Sequence, residues 1–333
     1  MPCPSCSYFS GPRYKSPVTT SFRSIRPALA VLVLLLSVLP GCQKTRSSAH
    51  VADAARVSRP AGPLSAERAA EYVLALVNRD RAEAGLDPVE WDETAAHGGR
   101  EHAEDMSKHG YTAHWGTDGS VPEQRYTGAG GRQFVQENAA CFFDAVDREL
   151  DGSPTYSAVE LEKVEGAFMA ELPPNDGHKQ NILKKWHNRL GVGLAKPVGI
   201  EQLCMSQEFV DDYGTFDDLP KRAHVGQTIK VSGEVRSPVK FGGVGIGRIE
   251  PAHPRTAADL NKTYTYTVPE PFVLYFPKGY KTPKPVEVKG NHFSIEVPLA
   301  DQGKKGRYEV SVWGSYPGDS ALVMVSLRVI DVE

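Results

Sequence analysis

At the segment DDYGTFDDLP, residues 211–220, the hydropathy pattern of this chain changes period, and one packed layer cannot satisfy both halves. Before it the apolar residues recur with the 3.6-residue period of a helix. SAERAAEYVLALVNRDRAEAG opens at an N-cap, Ser65, sets Ala69, Tyr72, Val73, Leu76 and Val77 on one stripe, and stops at Gly85. The pattern predicts a second helix over 91–110, a third over 157–172 and a short one opened by His178. LGVGLAKPVGIEQLCMSQEFV (190–210) reads as two strands joined by a Pro-Gly turn. Beyond residue 220 the texture is short alternating runs: QTIKVSGEV, TYTYTV, FVLYF, HFSIEVPL, RYEVSVWG and ALVMVSLRVI, separated by Gly, Pro, Asn and Lys. That spacing favours a β-sandwich over 220–333, in which Trp313, Tyr308, Phe293, Tyr275 and Phe276 are core candidates. The chain is therefore α+β, with a mixed domain over 65–219 and an all-β domain after it.

The first 64 residues belong to neither pattern. Residues 1–26 hold Arg13, Lys15, Arg23 and Arg26 and no acidic residue, and the 13-residue apolar run PALAVLVLLLSVL follows at 27–39. A basic stretch, a short apolar segment and small residues before a processing point describe an export signal over 1–41; a membrane-spanning helix needs about 20 apolar residues. LPGC resembles a bacterial lipoprotein box, which makes Cys42 the lipidated first residue and the membrane a partner through that anchor. Gln43 supplies no inner-membrane retention signal, so the expected destination is the outer membrane or cell surface. Residues 42–64, rich in Ser, Ala and Pro, read as a flexible tether. With Cys3 and Cys6 removed and Cys42 lipidated, Cys141 and Cys204 remain, as one disulfide in an oxidising compartment or as two buried thiols.

Charge divides the chain as sharply as hydropathy. Residues 65–219 hold 29 acidic and 14 basic side chains, and 220–333 hold 11 and 16. A net charge of −15 on the first domain repels a phosphate backbone, which argues against nucleic acid as a partner. The lysines at 278, 281, 284 and 289 cluster near a turn and read as solvated loop charge.

Four stretches of the first domain combine imidazoles with carboxylates or amides: LVNRDR (76–81), AHWGTDGSVPEQR (113–125), VQENAA (135–140) and NDGHKQNIL (175–183). In this order, with the closing LGVG, they resemble the CAP superfamily of cysteine-rich secretory proteins, antigen 5 and plant pathogenesis-related proteins, in its bacterial exported branch. The resemblance covers roughly residues 68–212. It implies a CAP-type α/β/α sandwich, here followed by an immunoglobulin-like β-sandwich, and an open cavity lined by two histidines and two acidic residues. His114, Glu137 and His178 match three of those positions. At the fourth, relatives carry an acidic residue where this chain has Gln124, so Glu123 or Asp118 substitutes. Asn78 and Arg81 meet the family's Asn-x-x-Arg motif, with Val77 in place of the usual His and Gln136 in place of the Gly before Glu-Asn.

Two imidazoles and one or two carboxylates suit zinc or a similar divalent ion with an open coordination position, with His114 and His178 as the metal ligands. No nucleophile has a motif of its own: G-x-S-x-G, H-E-x-x-H and a Walker loop are all missing. Each residue also has a plain structural reading. His178 follows an N-cap at Asn175 or Asp176, His114 fits a core ring donating to a carbonyl, and Glu137 fits a loop anchor. His97, His102 and His109 read as a solvated helix face, His187 as part of a variable loop, and Asn181 as a helix-packing residue. Two functions follow. One is a lipid-anchored binding module for a small apolar molecule, an envelope component or a protein, with the β-sandwich as spacer or adhesion domain. The other is a metal-dependent hydrolase, protease-like rather than nuclease, using Glu137 as general base.

Overall fold

The computed structural model describes residues 57–333 except Tyr264 and Ser320, together with two short strands, Ser7–Tyr8 and Tyr14–Lys15. Otherwise the expected signal segment, Cys42 and the tether as far as residue 56 lie outside the described residues. The described end of that tether is docked: Leu64 exchanges backbone hydrogen bonds with Tyr156, and Arg59 Nε donates to Glu162 at 2.8 Å. No helix among the described residues is long and apolar enough to cross a membrane.

The first domain builds a four-stranded sheet between two helical layers. In chain order its elements are α1 (Ala66–Glu83), β1 (Glu90–Trp91), α2 (Glu93–His109), α3 (Pro122–Gly128), β2 (Phe134–Ala140), α4 (Ala158–Met169), α5 (Gly177–Ile182), β3 (Arg189–Ala195) and β4 (Cys204–Asp211). The strand order is β1-β3-β4-β2, parallel only at β1/β3. Helix α1 starts where the sequence places it, with the Ser65 side chain accepting from Arg68 N–H; α2 starts at Glu93 rather than at residue 91, with Asp92 accepting from Ala95 N–H at 2.8 Å, and α3 was not among the expected helices. Val73, Leu76 and Val77 of α1, Leu161 and Phe168 of α4 and Ile182 of α5 pack on Leu190, Val192, Met205 and Phe209 of the sheet. Full burial of each large apolar side chain contributes roughly 1.5–3 kcal/mol.

Helix α2 covers the opposite face by backbone contact. A Cβ on Gly193 would lie 2.0 Å from the Gly99 carbonyl carbon, and one on Gly191 would lie 2.0 Å from Ala96 N. LGVG is therefore a packing surface as well as a strand. Cys141, just past β2, and Cys204, at the start of β4, are joined in a disulfide.

The second domain is a sandwich of two antiparallel sheets. One runs β10 (Val273–Tyr275), β8 (Lys240–Ile249), β13 (Gly306–Ser315), β14 (Ala321–Val332), with β6 (Arg222–Ala223) parallel on the β14 edge. The other runs β11 (Glu287–Lys289), β12 (His292–Pro298), β7 (Thr228–Val235), β5 (Gly214–Phe216). Ile229, Val231, Val244, Ile246, Ile295, Val297, Val310 and Val312 interlock between them. A short helix, α6 (Ala257–Leu260), and the two-residue β9 (Thr265–Tyr266) lie between β8 and β10.

Four expectations shift. The β-sheet begins six residues before 220, because β5 pairs with β7 and buries Phe216 completely. Strand β8, KFGGVGIGRI, was not among the predicted runs. Its glycines leave room for close neighbours: a Cβ on Gly245 would meet Ser311 Oγ at 2.5 Å and Pro271 Cγ at 2.8 Å. Trp313 is buried, but with Val121, Phe134, Tyr266 and Met324 at the seam with the first domain rather than inside the sandwich. Phe276 is only half-buried.

Gly193→Ala should lower the unfolding free energy by about 3 kcal/mol, because its methyl group must displace helix backbone and no flexible side chain stands there to yield. Urea unfolding followed by circular dichroism measures this; a change below about 1 kcal/mol would contradict the backbone-contact account.

Candidate functional site

Strand alternation sorts the site residues before any side chain is placed. Along β2, Glu137 turns toward α2 and α3, and Asn138 turns toward α4 and α5. Glu137 and His114 do meet: His114 Nδ1–H donates to Glu137 Oε1 at 2.8 Å, and both are buried. Arg125 of α3 places Nη2 2.6 Å from Glu137 Oε2 and donates from Nη1 and Nη2 to the His114 carbonyl at 3.2 Å. Ser206 Oγ stands 3.3 Å from Glu137 Oε2 and 3.0 Å from Glu208 Oε1. Arg125 therefore holds both the carboxylate and the backbone of the histidine that the carboxylate orients.

His178 has a carboxylate of its own. Glu171, which sequence reading missed, accepts from His178 Nδ1–H at 2.5 Å and from its backbone N–H at 3.0 Å. The ring packs on Phe168 at 4.5 Å between centroids, and its Nε2 is buried without a hydrogen-bond partner among the described residues. His114 and Glu137 lie within electrostatic reach of His178, but burial is the larger influence and lowers its pKa.

His102 and His187 depart from expectation. His102 is 1% exposed: Nε2–H donates to the Ala113 carbonyl at 2.8 Å and lies 3.6 Å from Glu137 Oε1. Burial, helped by the charge of Arg125, pushes it down to about 4, so the ring is neutral near pH 7. His187 is buried against Asp211 at 2.6 Å and Asn181 at 2.8 Å, and burial with the Lys184 charge likewise pushes it down to about 4. His97 is exposed and His109 half-buried. The two buried histidines were unreadable because their partners are a loop carbonyl and a strand residue far along the chain.

Glu123 is placed elsewhere too. It is completely buried, but its Oε1 accepts from the Tyr266 hydroxyl of the second domain. It faces the seam between domains. Asp118, exposed, accepts from Ser120 N–H and closes a turn. Gln124 accepts from Arg307 Nη1. None of the three supplies a fourth carboxylate beside His114.

The donor set does not fit the expected metal. Burial opposes the charge of Glu137, but the neighbouring His102 and Arg125, with the His114 hydrogen bond, outweigh it and hold its pKa well below the usual range. With His102 neutral, Arg125 is the cation that does this near pH 7. Burial and the Glu137 charge push Glu208 well above the usual range. His114 and Arg125 thus occupy the Glu137 carboxylate, and Glu171 is bound to the Nδ1 side of His178. Among the described residues no group of three or more His, Cys, Asp or Glu is disposed to hold a metal ion.

The Asn-x-x-Arg motif has a mechanical role. Asn78 exchanges hydrogen bonds with the Val89 backbone, and Arg81, completely buried, donates to the carbonyls of Asp87, Ile182, Lys184 and His187. It ties the turn after α5 to α1.

Two clefts flank this centre. One, about 510 Å³, opens at the seam where α5, the turn after it and β2 face β14; Phe134, Trp186, Tyr316 and Met324 line it, with Lys179 and Lys185 at the side. The Trp186 and Tyr316 rings stack across the seam, 4.3 Å between centroids and 4° apart. The other, about 730 Å³, lies between α2, the 116–120 loop and β14 and reaches His102 and Arg125. His114, Glu137 and His178 line neither cleft.

A pH prediction follows from the two rings held near 4. Their unfolded value is about 6.5, so the fold excludes protons that the unfolded chain binds. The resulting stability is complete above about pH 6.5 and declines as pH falls toward 4, by on the order of 3 kcal/mol per ring. Urea unfolding at pH 7 and pH 4.5 should show this loss, and His102→Asn should reduce it; an equal loss in the variant would contradict the assignment.

Residues 74–198 match the model of the CAP family, described as the cysteine-rich secretory protein family. Comparison with the curated proteins gives no match. Among solved structures, an extracellular protein containing an SCP domain from Bacillus anthracis str. Ames is similar over 46% of this chain and 45% of its own, at 21% identity and a TM-score of 0.33. A chitin binding domain from Burkholderia pseudomallei is similar over 34% of this chain and 57% of its own, at 11% identity and a TM-score of 0.23. This chain therefore spans less than two thirds of either structure.

Proposed function

We propose, from the premise that residues 74–198 form a CAP domain, that this protein is an exported binding module held at the bacterial envelope by lipid on Cys42, with a small apolar molecule as its ligand. The observation that carries the reading is the seam cleft. Phe134, Met324 and the Trp186–Tyr316 stack give it an apolar wall, and Lys179 and Lys185 offer charge to an acidic end of the ligand. The His114–Glu137–Arg125 centre then orders the domain rather than attacking a substrate. Its carboxylate is occupied, and no nucleophile in this chain has a motif of its own. Export is supported by the Cys141–Cys204 disulfide, which suits an oxidising compartment.

The soluble chain from Gln43 should bind the apolar fluorophore 1-anilinonaphthalene-8-sulfonate at one saturable site. Val323→Arg, at the cleft wall, should weaken binding at least about tenfold, a loss of about 1.4 kcal/mol. His114→Ala/His178→Ala should leave binding in place if that variant folds. In cells, Cys42→Ser should move the protein from the membrane to the soluble fraction. Unchanged binding in Val323→Arg would overturn the cleft. Stoichiometric divalent metal in the wild type, with peptide or ester hydrolysis that disappears in the double variant, would establish the hydrolase instead.

A further inference from the structure

The cleft of about 730 Å³ between α2, the 116–120 loop and β14 has a chemistry opposite to that of the seam cleft. Its apolar lining is Leu150 and Val329, and no Phe, Tyr or Trp faces it. Carboxylates stand on both walls: Glu101, Glu104 and Asp105 on α2 and Asp118 on the loop, with Asp331 across from them on β14. Against these five the rim sets two exposed lysines, Lys108 and Lys221. The third cation of the lining, Arg125, is engaged by Glu137 at 2.6 Å. The net charge of −15 on residues 65–219 adds a field of the same sign.

An acidic rim alone selects no ligand; the buried residues beneath it do. His102 lines the cleft and is 1% exposed, and its Nε2–H is spent on the Ala113 carbonyl at 2.8 Å. A neutral imidazole with its proton on Nε2 carries a lone pair at Nδ1. That atom is buried and has no hydrogen-bond partner among the described residues. The Thr127 hydroxyl, on another lining residue, is in the same condition. Arg125 Nε is a third such atom and a donor, but its guanidinium is held by Glu137 and the His114 carbonyl. Buried acceptors left unpaired are uncommon and costly, and a ligand N–H satisfies them.

We propose that this cleft is a second ligand site, for a linear polyamine whose ammonium groups meet the carboxylates of both walls and give one N–H to His102 Nδ1. Each part of that ligand answers an observation. Positive charge answers the five carboxylates, and an anion would be repelled by them. N–H donors answer the unpaired acceptors, which a quaternary ammonium cannot do; such ions are held by aromatic faces, and this cleft has none. A bare metal ion has no group of three or more His, Cys, Asp or Glu disposed to hold it among the described residues. More than one ammonium answers carboxylates that come from two domains, so a bound polyamine ties α2 to β14. The two clefts share no lining residue, and this site is independent of the apolar-ligand reading.

Calorimetric titration of the full soluble chain from Gln43 with hexamethylenediamine, at physiological salt and about pH 7, tests it; both amines are charged there. The diamine should bind at one saturable site. Hexamethonium carries the same two charges at the same spacing but no N–H, and should bind at least about tenfold more weakly. Aminohexanol, with a single ammonium, should be weaker than the diamine by a similar factor. His102→Gln keeps an amide donor for the Ala113 carbonyl and removes the Nδ1 acceptor. It should weaken the diamine at least about tenfold and leave hexamethonium unchanged. If that variant fails to fold, Thr127→Val, which removes the other unpaired acceptor, takes its place with the same expected direction. No saturable binding, equal affinity for the diamine and hexamethonium, or unchanged affinity in folded His102→Gln would overturn the site. Aminohexanol binding as tightly as the diamine would overturn the polyamine assignment.

Discussion

The ion pair between Arg125 and Glu137 is the constraint on which the first domain turns. Taking either charge out of water alone costs several kcal/mol, so each needs its partner in place. Helix α3 is too short to stand by itself and has no side-chain cap at its start, so its position comes from what its side chains reach. Arg125 fixes α3 to β2 through Glu137 and to the 113–115 backbone through the His114 carbonyl. His114, the residue that most suggested chemistry, is oriented as a consequence of that pair.

The second domain takes part in this arrangement. Arg307 reaches the Gly119 carbonyl at 2.9 Å, Arg132 reaches the Phe216 carbonyl at 2.9 Å, and the Trp186–Tyr316 stack closes the far side of the seam. Trp313 and Val121 meet in one buried cluster with Tyr266 and Met324. The polar anchors at Gly119 and Arg132 and the apolar cluster at Val121 flank α3. The cleft proposed for ligand lies on this seam, so its shape depends on both domains at once.

What was legible in the sequence is what local chemistry determines. Ser65 as a cap, the apolar stripe of α1 and the alternating runs of β7, β12, β13 and β14 are written within a few residues of where they act. Partnership over long separations is not written that way. Nothing near His178 marks Glu171 as its carboxylate, since the Pro-Pro-Asn-Asp turn between them is what folds the chain back. Glu123 sits in the stretch that suggested a cavity, yet the second domain, 143 residues away at Tyr266, draws it to the seam. His102 looked solvated because its helix is rich in charge, and only the packing of the 111–115 segment buries it. Strand β8 escaped notice because glycine removes the alternating side chains that usually announce a strand, while its neighbours need the space those side chains would fill.

A double-mutant cycle across Arg125 and Glu137, read by urea unfolding at pH 7, tests the central claim most directly. Arg125→Met and Glu137→Gln should each cost about 3–5 kcal/mol, because each strands a buried partner. Together they should cost less than the sum by about 2 kcal/mol or more, because no unpaired charge remains. Additive losses would mean that the two side chains act independently and that α3 is held by something else.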